Sequence, residues 1–397
     1  MQLSRTQVTV ILGITQTLSW ASSYYLLGVL ANPISQSIDT SYALVFAAFS
    51  GALLVSAATG PVAGRLIDRF GGRPVLIASN LVFAVGLLLM SQATSTLHVF
   101  VAWAVMGVAM GSGLYEAAFA TVVHLFRQNA RSSITGITLF AGFASTVGWP
   151  LSSYLESLYS WSAVCLVWAA LHILVGLPFN AFLTYAKQET EPDLEEKNQA
   201  NDGVHDAVKP IPDLRRTAVL MAYVFAVSWF ISTAMAAHLP QILQISGASL
   251  AISIGAAALV GPAQVAGRVL EYSFLKNAHP LLSARLAILA HPFAAACLIV
   301  VGAPAASVFA VLHGLGNGIL TIAVGTLPLK IFGAKGYGQR QGWLMVPARL
   351  IQAGSPFLFG LAVASWGSHA LWLSALLAIS AFAALCAMRV GSAGKSR

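Results

Sequence analysis

The stretch VAGRLID, residues 62–68, recurs as VAGRVLE at residues 265–271. A Gly-Pro pair lies shortly before each copy, at residues 60–61 and 261–262. Two shorter pairs of segments match in the same order and at similar offsets. They are Ser19-Trp20 with Ser228-Trp229, and Trp149-Pro150 with Ser355-Pro356. Three ordered matches separated by about half the chain indicate an internal duplication. The sequence therefore predicts two homologous halves.

The composition predicts an integral membrane protein, since 57% of the 397 residues are hydrophobic and only 9% are charged. A soluble domain has roughly a quarter of its residues charged. Apolar runs of about 20 residues suffice to cross the membrane as helices, whereas barrel strands would be about half as long and would alternate in polarity. We expect an all-α membrane protein with twelve spans, near residues 7–30, 42–63, 75–92, 97–123, 133–155, 161–184, 217–240, 248–268, 281–301, 304–328, 343–364 and 369–389.

The basic residues predict the orientation. Apart from Arg349, every Lys and Arg lies in or beside the amino terminus, the even-numbered connections or the carboxyl tail. Because positive residues near span ends stay on the cytoplasmic side, we expect both termini to be cytoplasmic in a multi-pass protein of the cell inner membrane. The net charge of +8 then reflects topology, and no nucleic-acid partner is expected.

The central segment, residues 186–216, is polar and contains prolines, which is typical of a tether. We expect an N-terminal six-helix bundle at 1–185, this cytoplasmic linker, and a C-terminal six-helix bundle at 217–397. Eight of the thirteen carboxylates lie in the linker: Glu189, Glu191, Asp193, Glu195, Glu196, Asp202, Asp206 and Asp213. Asp39 and Glu156 fall in outward connections, and Asp68 and Glu271 at cytoplasmic span ends. Glu116 alone is left inside the membrane.

The segment GRLIDRFGGR, residues 64–73, resembles the signature of the major facilitator superfamily between helices two and three, G-x-x-x-D-R-x-G-R-(R/K). Gly64, Asp68, Arg69 and Gly71 are in register, and Arg73 takes the final basic position. Gly72 replaces the usual basic residue before it. The resemblance covers nearly the whole chain, because it includes twelve spans, two repeated halves and a polar central loop. It implies two pseudo-symmetric six-helix bundles.

The resemblance also implies a cytoplasmic gate. A carboxylate near a helix end can accept hydrogen bonds from the amino terminus of a facing helix, and nearby arginines supply the opposite charge. Asp68, Arg69 and Arg73 are then expected to help close the cytoplasmic side. Gly267, Arg268 and Glu271 form the degenerate copy at the end of the eighth span. The alternative is that the arginines only enforce topology.

Glu116 lies in GSGLYEAAFATVVHL, residues 111–125, and 11 residues before Arg127. At 1.5 Å per residue this is roughly 16 Å inside the membrane boundary. The resemblance implies that helices one, four, seven and ten line a central cavity, and Glu116 falls on helix four. A carboxyl group at this depth can carry a proton or bind a cation. The alternative is a neutral carboxyl group hydrogen-bonded within one bundle.

Arg349 is its counterpart in the second half, nine residues beyond Arg340 and roughly 14 Å into the eleventh span. A guanidinium does not lose its charge at accessible pH, so it needs an anion, carbonyl groups or water. Two interpretations stay open. Arg349 either binds an anionic substrate or forms an ion pair with Glu116 across the cavity.

Other polar residues lie at similar depth. Gln16, Trp20 and Tyr24 are spaced i, i+4, i+8 and share one face of the first span. His313 and Asn317 are spaced i, i+4 on the tenth span. Each set is a candidate for substrate contact or proton coupling, and ordinary helix packing is the alternative for both. Trp229 and His238 on the seventh span are weaker candidates.

The sequence lacks the parts of an enzyme or an ATP-driven pump, since it has no phosphate-binding Walker motif and no metal-binding helix. Its three cysteines lie singly, without metal-ligand spacing, so we expect no metal and no cofactor. The resemblance implies a secondary transporter that works by alternating access. From Arg349 and Glu116 we expect a small solute, such as a small anion, with protons as the coupling ion, and we expect a monomer. The alternatives are an exporter of a drug, metabolite or metalloid, and a non-transporting sensor with the same fold.

The orientation gives a first prediction. A cysteine placed at Asp39 should react with a membrane-impermeant thiol reagent from outside the cell, because the first connection is expected to face outward. Accessibility labelling of whole cells and inverted vesicles measures this. Reaction from the cytoplasmic side alone would contradict the predicted topology.

Overall fold

Helices account for nearly all of the described chain. A computed structural model describes residues 3–185 and 214–388, and these two ranges contain no β-strand. The α-helices are α1 (Arg5–Ala21), α2 (Leu27–Ser37), α3 (Tyr42–Phe70), α4 (Gly72–Ser91), α5 (Thr96–Gly113), α6 (Tyr115–Phe126), α7 (Arg131–Ala141), α8 (Ala144–Leu158), α9 (Trp161–Leu171), α10 (Leu177–Ala181), α11 (Leu214–Ile245), α12 (Leu250–Ala258), α13 (Val260–Leu270), α14 (Pro280–Val301), α15 (Ala306–Phe332), α16 (Tyr337–Trp366) and α17 (Ala370–Ala387).

Capping residues set the ends of several of these helices. The side chains of Ser41, Ser95, Ser160 and Ser249 accept backbone N–H groups at the starts of α3, α5, α9 and α12. A serine hydroxyl there satisfies a donor that the helix leaves unpaired. At the other end of α3, Gly71 has φ of +79°, a conformation that only glycine adopts easily. It turns the chain directly into α4.

The helices are long and apolar enough to cross a membrane. In the two described ranges, nine helical segments meet this standard. Two of them, Thr96–Leu158 and Tyr337–Ala387, contain 63 and 51 residues, well beyond the roughly 20 that one crossing requires. The all-α membrane architecture is confirmed, and the count of twelve spans stays a prediction.

Four of the predicted spans are interrupted. The first predicted span breaks into a turn at residues 22–26, between α1 and α2. The fourth breaks at Leu114, and the fifth breaks into a turn at residues 142–143, between α7 and α8. The eighth breaks at Leu259 and ends in a π-helical turn, Glu271–Leu275. Hydropathy reports how apolar a segment is. It carries no signal for where backbone hydrogen bonds stop.

The predicted linker falls largely outside the described residues, as do its eight carboxylates. Leu214–Arg216, which the prediction placed in the linker, begin α11. Buried hydrophobic side chains form two clusters. One runs from Val8 to Leu183 and takes in Leu329 and Tyr337, and the other runs from Met221 to Met388. Two bundles would produce this partition, and the predicted domain boundaries remain a prediction.

The two halves approach closely where α3 meets α16. A Cβ on Gly64 would overlap the carbonyl oxygen of Gly338, and one on Gly342 would lie 2.6 Å from Cα of Pro61. Only the absence of side chains allows the backbones this approach, as at helix contacts within membranes generally. We call the end of the molecule that carries Asp68, Arg131, Glu271 and Gly338 the Asp68 end.

This contact gives a second prediction. Gly64→Ala should separate α3 from α16 and lower the population closed at the Asp68 end, because overpacking costs about 1–3 kcal/mol. Gly51→Ala is the matched control, since it lies on the same helix and a Cβ there meets nothing within 4 Å. Pulsed EPR distances between spin labels at Phe70 and Lys335, without the native cysteines, measure closure. Equal distance distributions in the two variants would contradict the prediction.

Candidate functional site

The two intramembrane charges meet. Arg349, on α16, donates from Nη2 to Oε1 of Glu116, on α6, at 2.8 Å. The exposed fraction of the side chain is 4% for Arg349 and 14% for Glu116. Of the two interpretations left open by the sequence, the ion pair is the one present in this conformation. It joins the two halves of the chain, and each charge neutralises the other in a poorly hydrated place.

Arg349 is also held by three neutral groups. Its Nη1 donates to the Tyr24 hydroxyl at 2.5 Å and to Oε1 of Gln352 at 2.9 Å. The Trp229 ring lies 4.9 Å from the guanidinium carbon, within the range of a cation–π contact. Tyr24 belongs to the N-terminal half, whereas Gln352 and Trp229 belong to the C-terminal half. The guanidinium is therefore fixed by residues from both sides of the interface.

A helix break places Glu116. α5 ends at Gly113, Leu114 is extended with ψ of −164°, and α6 starts at Tyr115, so Glu116 lies in the first turn of a helix. The positive end of the helix dipole favours a carboxylate there. The break frees the Gly113 carbonyl, which accepts from Nε2 of Gln16 at 2.6 Å. Glu116 was predicted on a continuous fourth span, and it lies instead at the amino terminus of the second helix into which that span is divided.

Aromatic rings form a wall beside the ion pair. The Trp20 ring lies 4.5 Å from Tyr24, 4.8 Å from Tyr115 and 6.4 Å from Trp229, measured between centroids. The rings of Trp20 and Trp229 are parallel within 2° and come from the corresponding helices of the two halves. Nε1 of Trp20 and Oε1 of Gln16 are buried without a hydrogen-bond partner. The predicted face of Gln16, Trp20 and Tyr24 therefore faces this cluster.

Arg268 lies in the last turn of α13, near a helix end as predicted, but it is buried. The helical path continues past it through Glu271–Leu275, and its exposed fraction is only 5%. Nε and Nη1 of Arg268 are buried without a partner, and a Cβ on Gly142 would overlap Nη1. Its charge acts electrostatically on the Tyr115 phenol. Within the described residues, no carboxylate pairs with Arg268.

His313 pairs with His291, and not with Glu116 or Arg349. The two Nδ1 atoms are 3.0 Å apart, and Nε2 of His291 lies 2.9 Å from the Ser374 hydroxyl. Asn317 and both histidines line a cavity of about 20 Å³, room for about one water molecule. The sequence candidates are thus divided between two clusters. His238 lies in neither, and its Nε2 is 2.8 Å from the Pro356 carbonyl oxygen.

The signature residues lie at the Asp68 end. Asp68 accepts from the backbone N–H groups of Gly338 and Gln339, both at 2.8 Å, at the amino terminus of α16. Arg69 lies over the Phe70 ring, and Nε of Arg73 donates to the Ala181 carbonyl at 3.2 Å, within its own half. The role of these residues as a gate stays a prediction.

The second copy of the signature is arranged differently. Gly267 packs so tightly on α15 that a Cβ would overlap the Leu315 carbonyl oxygen. Glu271 is buried and accepts from Nη2 of Arg131 at 2.9 Å, across the two halves. Arg131 was not singled out in the sequence, because it is one of many basic residues at span ends. In the described residues, no group of three or more His, Cys, Asp or Glu side chains could hold a metal ion.

Comparison with known proteins assigns the family. The profile of the Major Facilitator Superfamily matches residues 12–306, which is most of the chain. The chain belongs to the major facilitator superfamily. Two solved structures of the superfamily share its fold. The human organic anion transporter MFSD10 (TETRAN) has a TM-score of 0.68 and 15% identity, over 97% of this chain and 100% of that chain. The proton:xylose symporter XylE has a TM-score of 0.73 and 11% identity, over 96% and 94%.

Relatives in sequence are transporters of several kinds. Multidrug resistance protein MdtL of Klebsiella pneumoniae (strain 342) is 30% identical over 163 residues, 40% of each chain. Human monocarboxylate transporter 2 is 26% identical over 141 residues, 35% of this chain and 29% of that protein. The 4-hydroxybenzoate transporter PcaK of Pseudomonas putida is 25% identical over 187 residues, 47% and 40%. The matches thus span at most 40% of these relatives.

Membership of the major facilitator superfamily settles the class of protein. The family match and the apolar helices make the chain a multi-pass membrane protein of a family of transporters, which are not enzymes. Gln352 and Tyr115, which complete the site, were missed in the sequence. Gln352 could have been found, because it lies three residues after Arg349 and therefore on the same helix face. Tyr115 is the first residue of a helix whose start the sequence did not reveal.

Proposed function

We propose that this protein is a proton-coupled secondary transporter of small organic monoanions, of the carboxylate class, working by alternating access. The uncompensated charge of Arg268 is the observation that supports this class most directly. Arg349 is already neutralised by Glu116, whereas Arg268 is buried with two unpaired nitrogens. Leaving a buried charge unpaired costs several kcal/mol. One free positive charge is what a single carboxylate of a substrate would compensate.

The surroundings fit the rest of such a molecule. Tyr115 packs against Trp20 and is within electrostatic range of Arg268, so an anion at Arg268 would lie near the aromatic wall. Rings of this kind bury the apolar part of a solute, and their hydroxyl and indole groups bind its polar atoms. The unpaired Nε1 of Trp20 is one such donor. The names of three compared proteins, which specify monocarboxylates, 4-hydroxybenzoate and organic anions, agree with this class.

The ion pair supplies a means of coupling. Nη2 of Arg349 donates to Glu116 across the two halves, so this bond joins them in the present conformation. Protonation of Glu116 would weaken the bond and let the halves move, while Arg268 holds the anion. A proton and a monoanion would then cross together without net charge. A role of His313 and Asn317 in coupling stays a prediction of the sequence.

We further propose that the Asp68 end faces the cytoplasm of a protein that acts as a monomer in the inner membrane. The concentration of arginines and lysines at span ends supports this orientation. In this conformation, the contacts between α3 and α16 close that end. A drug exporter is the second candidate, because the match to MdtL has the highest identity among the relatives described above.

Arg268 gives a third prediction. Arg268→Gln should lose the stabilisation by monocarboxylates, with binding weakened roughly 10- to 150-fold, because a hydrogen bond to a charged group contributes about 1.5–3 kcal/mol. The ligand-free variant should be at least as stable as the wild type, because an unpaired buried charge is removed. Thermal unfolding measures both effects with aliphatic and aromatic monocarboxylates, their amides and cationic drugs.

Arg65→Gln is the matched control, since it removes an exposed arginine at the corresponding position of the first copy. It should keep the stabilisation by carboxylates. Two results would overturn the proposed class: undiminished carboxylate binding by Arg268→Gln, and stabilisation of the wild type by cationic drugs but not by carboxylates. The second result would favour the drug exporter.

Glu116 gives a fourth prediction. Glu116→Gln should abolish accumulation driven by a pH gradient while anion binding survives, because glutamine keeps the shape of the side chain and cannot take up a proton. Uptake of the best-bound carboxylate into proteoliposomes, with and without an imposed gradient, measures coupling. Glu156→Gln removes a carboxylate near the end of α8 and should behave as the wild type. If Glu116→Gln still concentrates its solute, Glu116 is not the coupling residue.

A further inference from the structure

Arg131 fastens the two halves together at the Asp68 end through three acceptors. Its Nη2 donates to Oε1 of Glu271 and to the Leu275 carbonyl, both at 2.9 Å, and its Nη1 donates to the Ala278 carbonyl at 2.6 Å. The acceptors all lie in residues 271–278, which follow the eighth predicted span. We call this set of bonds the Arg131 clamp. It holds the start of α7 against the segment that leads into α14.

His279 directly follows the clamped segment and caps α14. Its Nδ1 accepts from the backbone N–H of Leu281 at 3.1 Å, and Pro280 takes the first helical position. An accepting Nδ1 carries no proton, so the neutral ring has its proton on Nε2. That Nε2 is buried without a hydrogen-bond partner. The cap therefore requires the neutral imidazole, because protonation would turn Nδ1 into a donor facing another donor.

Three cations act electrostatically on His279: Arg131 on α7, Arg285 on α14 and Lys330 on α15. Glu271 is the acid of this cluster, and Arg131 already occupies one of its oxygens. Burial first, and then Lys330, Arg131 and Arg285, lower the pKa of His279 below its usual 6.5. The positive end of the α14 dipole opposes a charge there as well.

We propose that His279 is a proton-operated release for the Arg131 clamp, which opens the Asp68 end when the solution on that side becomes acidic. A protonated ring loses its bond to Leu281 and is repelled by the three cations. Both effects are relieved when the segment before α14 moves away from α7. That movement breaks the hydrogen bonds from Arg131 to the carbonyl groups of Leu275 and Ala278. The inference is independent of the substrate, so it stands or falls separately from the proposed function.

The direction of the pH effect follows from linkage. His279 binds a proton less readily in the clamped state than in an open state where water surrounds it. The open state therefore holds more protons at acidic pH, and falling pH favours it. Above the ordinary histidine range both states are neutral and the clamp is unaffected. Below that range, one proton can change the closed-to-open ratio by at most about tenfold per pH unit.

The experiment measures opening directly. Spin labels at Gln128 and Asn277, exposed positions on either side of the clamp, report its width by pulsed EPR in nanodiscs between pH 8 and pH 5. The native cysteines, Cys165, Cys297 and Cys386, are replaced. We expect the open fraction of the otherwise unmodified chain to increase as the pH falls below about 6.5. His279→Asn should stay closed throughout, because asparagine is a good helix cap that does not titrate.

Two further variants complete the test. His238→Asn removes a histidine outside the clamp and should open with pH as the wild type does. His279→Lys keeps a positive charge at every pH used and should be open throughout. The proposal is overturned if His279→Asn opens with the same pH dependence as the wild type, or if the wild type keeps one distance from pH 8 to pH 5.

Discussion

The ion pair between Glu116 and Arg349 is the interaction on which the centre of the molecule depends. A lone charge at this depth in a membrane protein is expensive, and breaking a buried pair by removing one partner costs about 3–5 kcal/mol. The pair joins α6 to α16, so each half of the chain supplies the charge that neutralises the buried charge of the other half. Tyr24 and Trp229 hold the guanidinium from opposite sides of the interface. Any movement between the halves must therefore rearrange this cluster, which links conformation to charge.

Broken helices make the cluster possible. Between Gly113 and Tyr115 the backbone leaves the helix, which frees a carbonyl group for Gln16 and presents a positive helix end to Glu116. A similar break at Gly142 lies against the guanidinium of Arg268. Irregular backbone is tolerated inside a membrane only where protein or a polar cavity surrounds it. These interruptions therefore mark the polar centre of the protein as clearly as its charged side chains do.

The Asp68 end is closed by a different kind of interaction. Gly64 and Gly338 let two helix backbones touch, and Asp68 caps α16 with two short hydrogen bonds. The Arg131 clamp adds bonds mostly to backbone carbonyl groups. Hydrogen bonds and close backbone contacts are formed and broken as a set when helices separate, and few long apolar side chains need to be repacked. Contacts of this kind are what the proposed gate at this end requires, because a conformational switch needs an arrangement that can be left as well as held.

The sequence by itself determined the membrane class, the family and the identity of the central charges. Composition excludes a soluble protein, the segment at 64–73 carries the family signature, and Glu116 and Arg349 are conspicuous because charges are rare in apolar spans. Each of these properties depends on the residues within one short segment, so it can be identified from the order of the residues alone. The amino-terminal position of Glu116 was not predictable, because hydropathy does not register a one-residue break in the backbone hydrogen bonds.

Only the tertiary structure decided which charges meet. Glu116 and Arg349 lie in different halves of the chain, and from the sequence an ion pair between them was only one of two interpretations. Arg268 and Glu271 correspond to Arg65 and Asp68 in the first copy of the repeat. The fold nevertheless buries Arg268 without an anion and pairs Glu271 with Arg131. The reason is physical: the energy of a charge inside a membrane depends on what lies within a few ångströms of it. Distances of that kind are set by how helices pack, and not by their order along the chain.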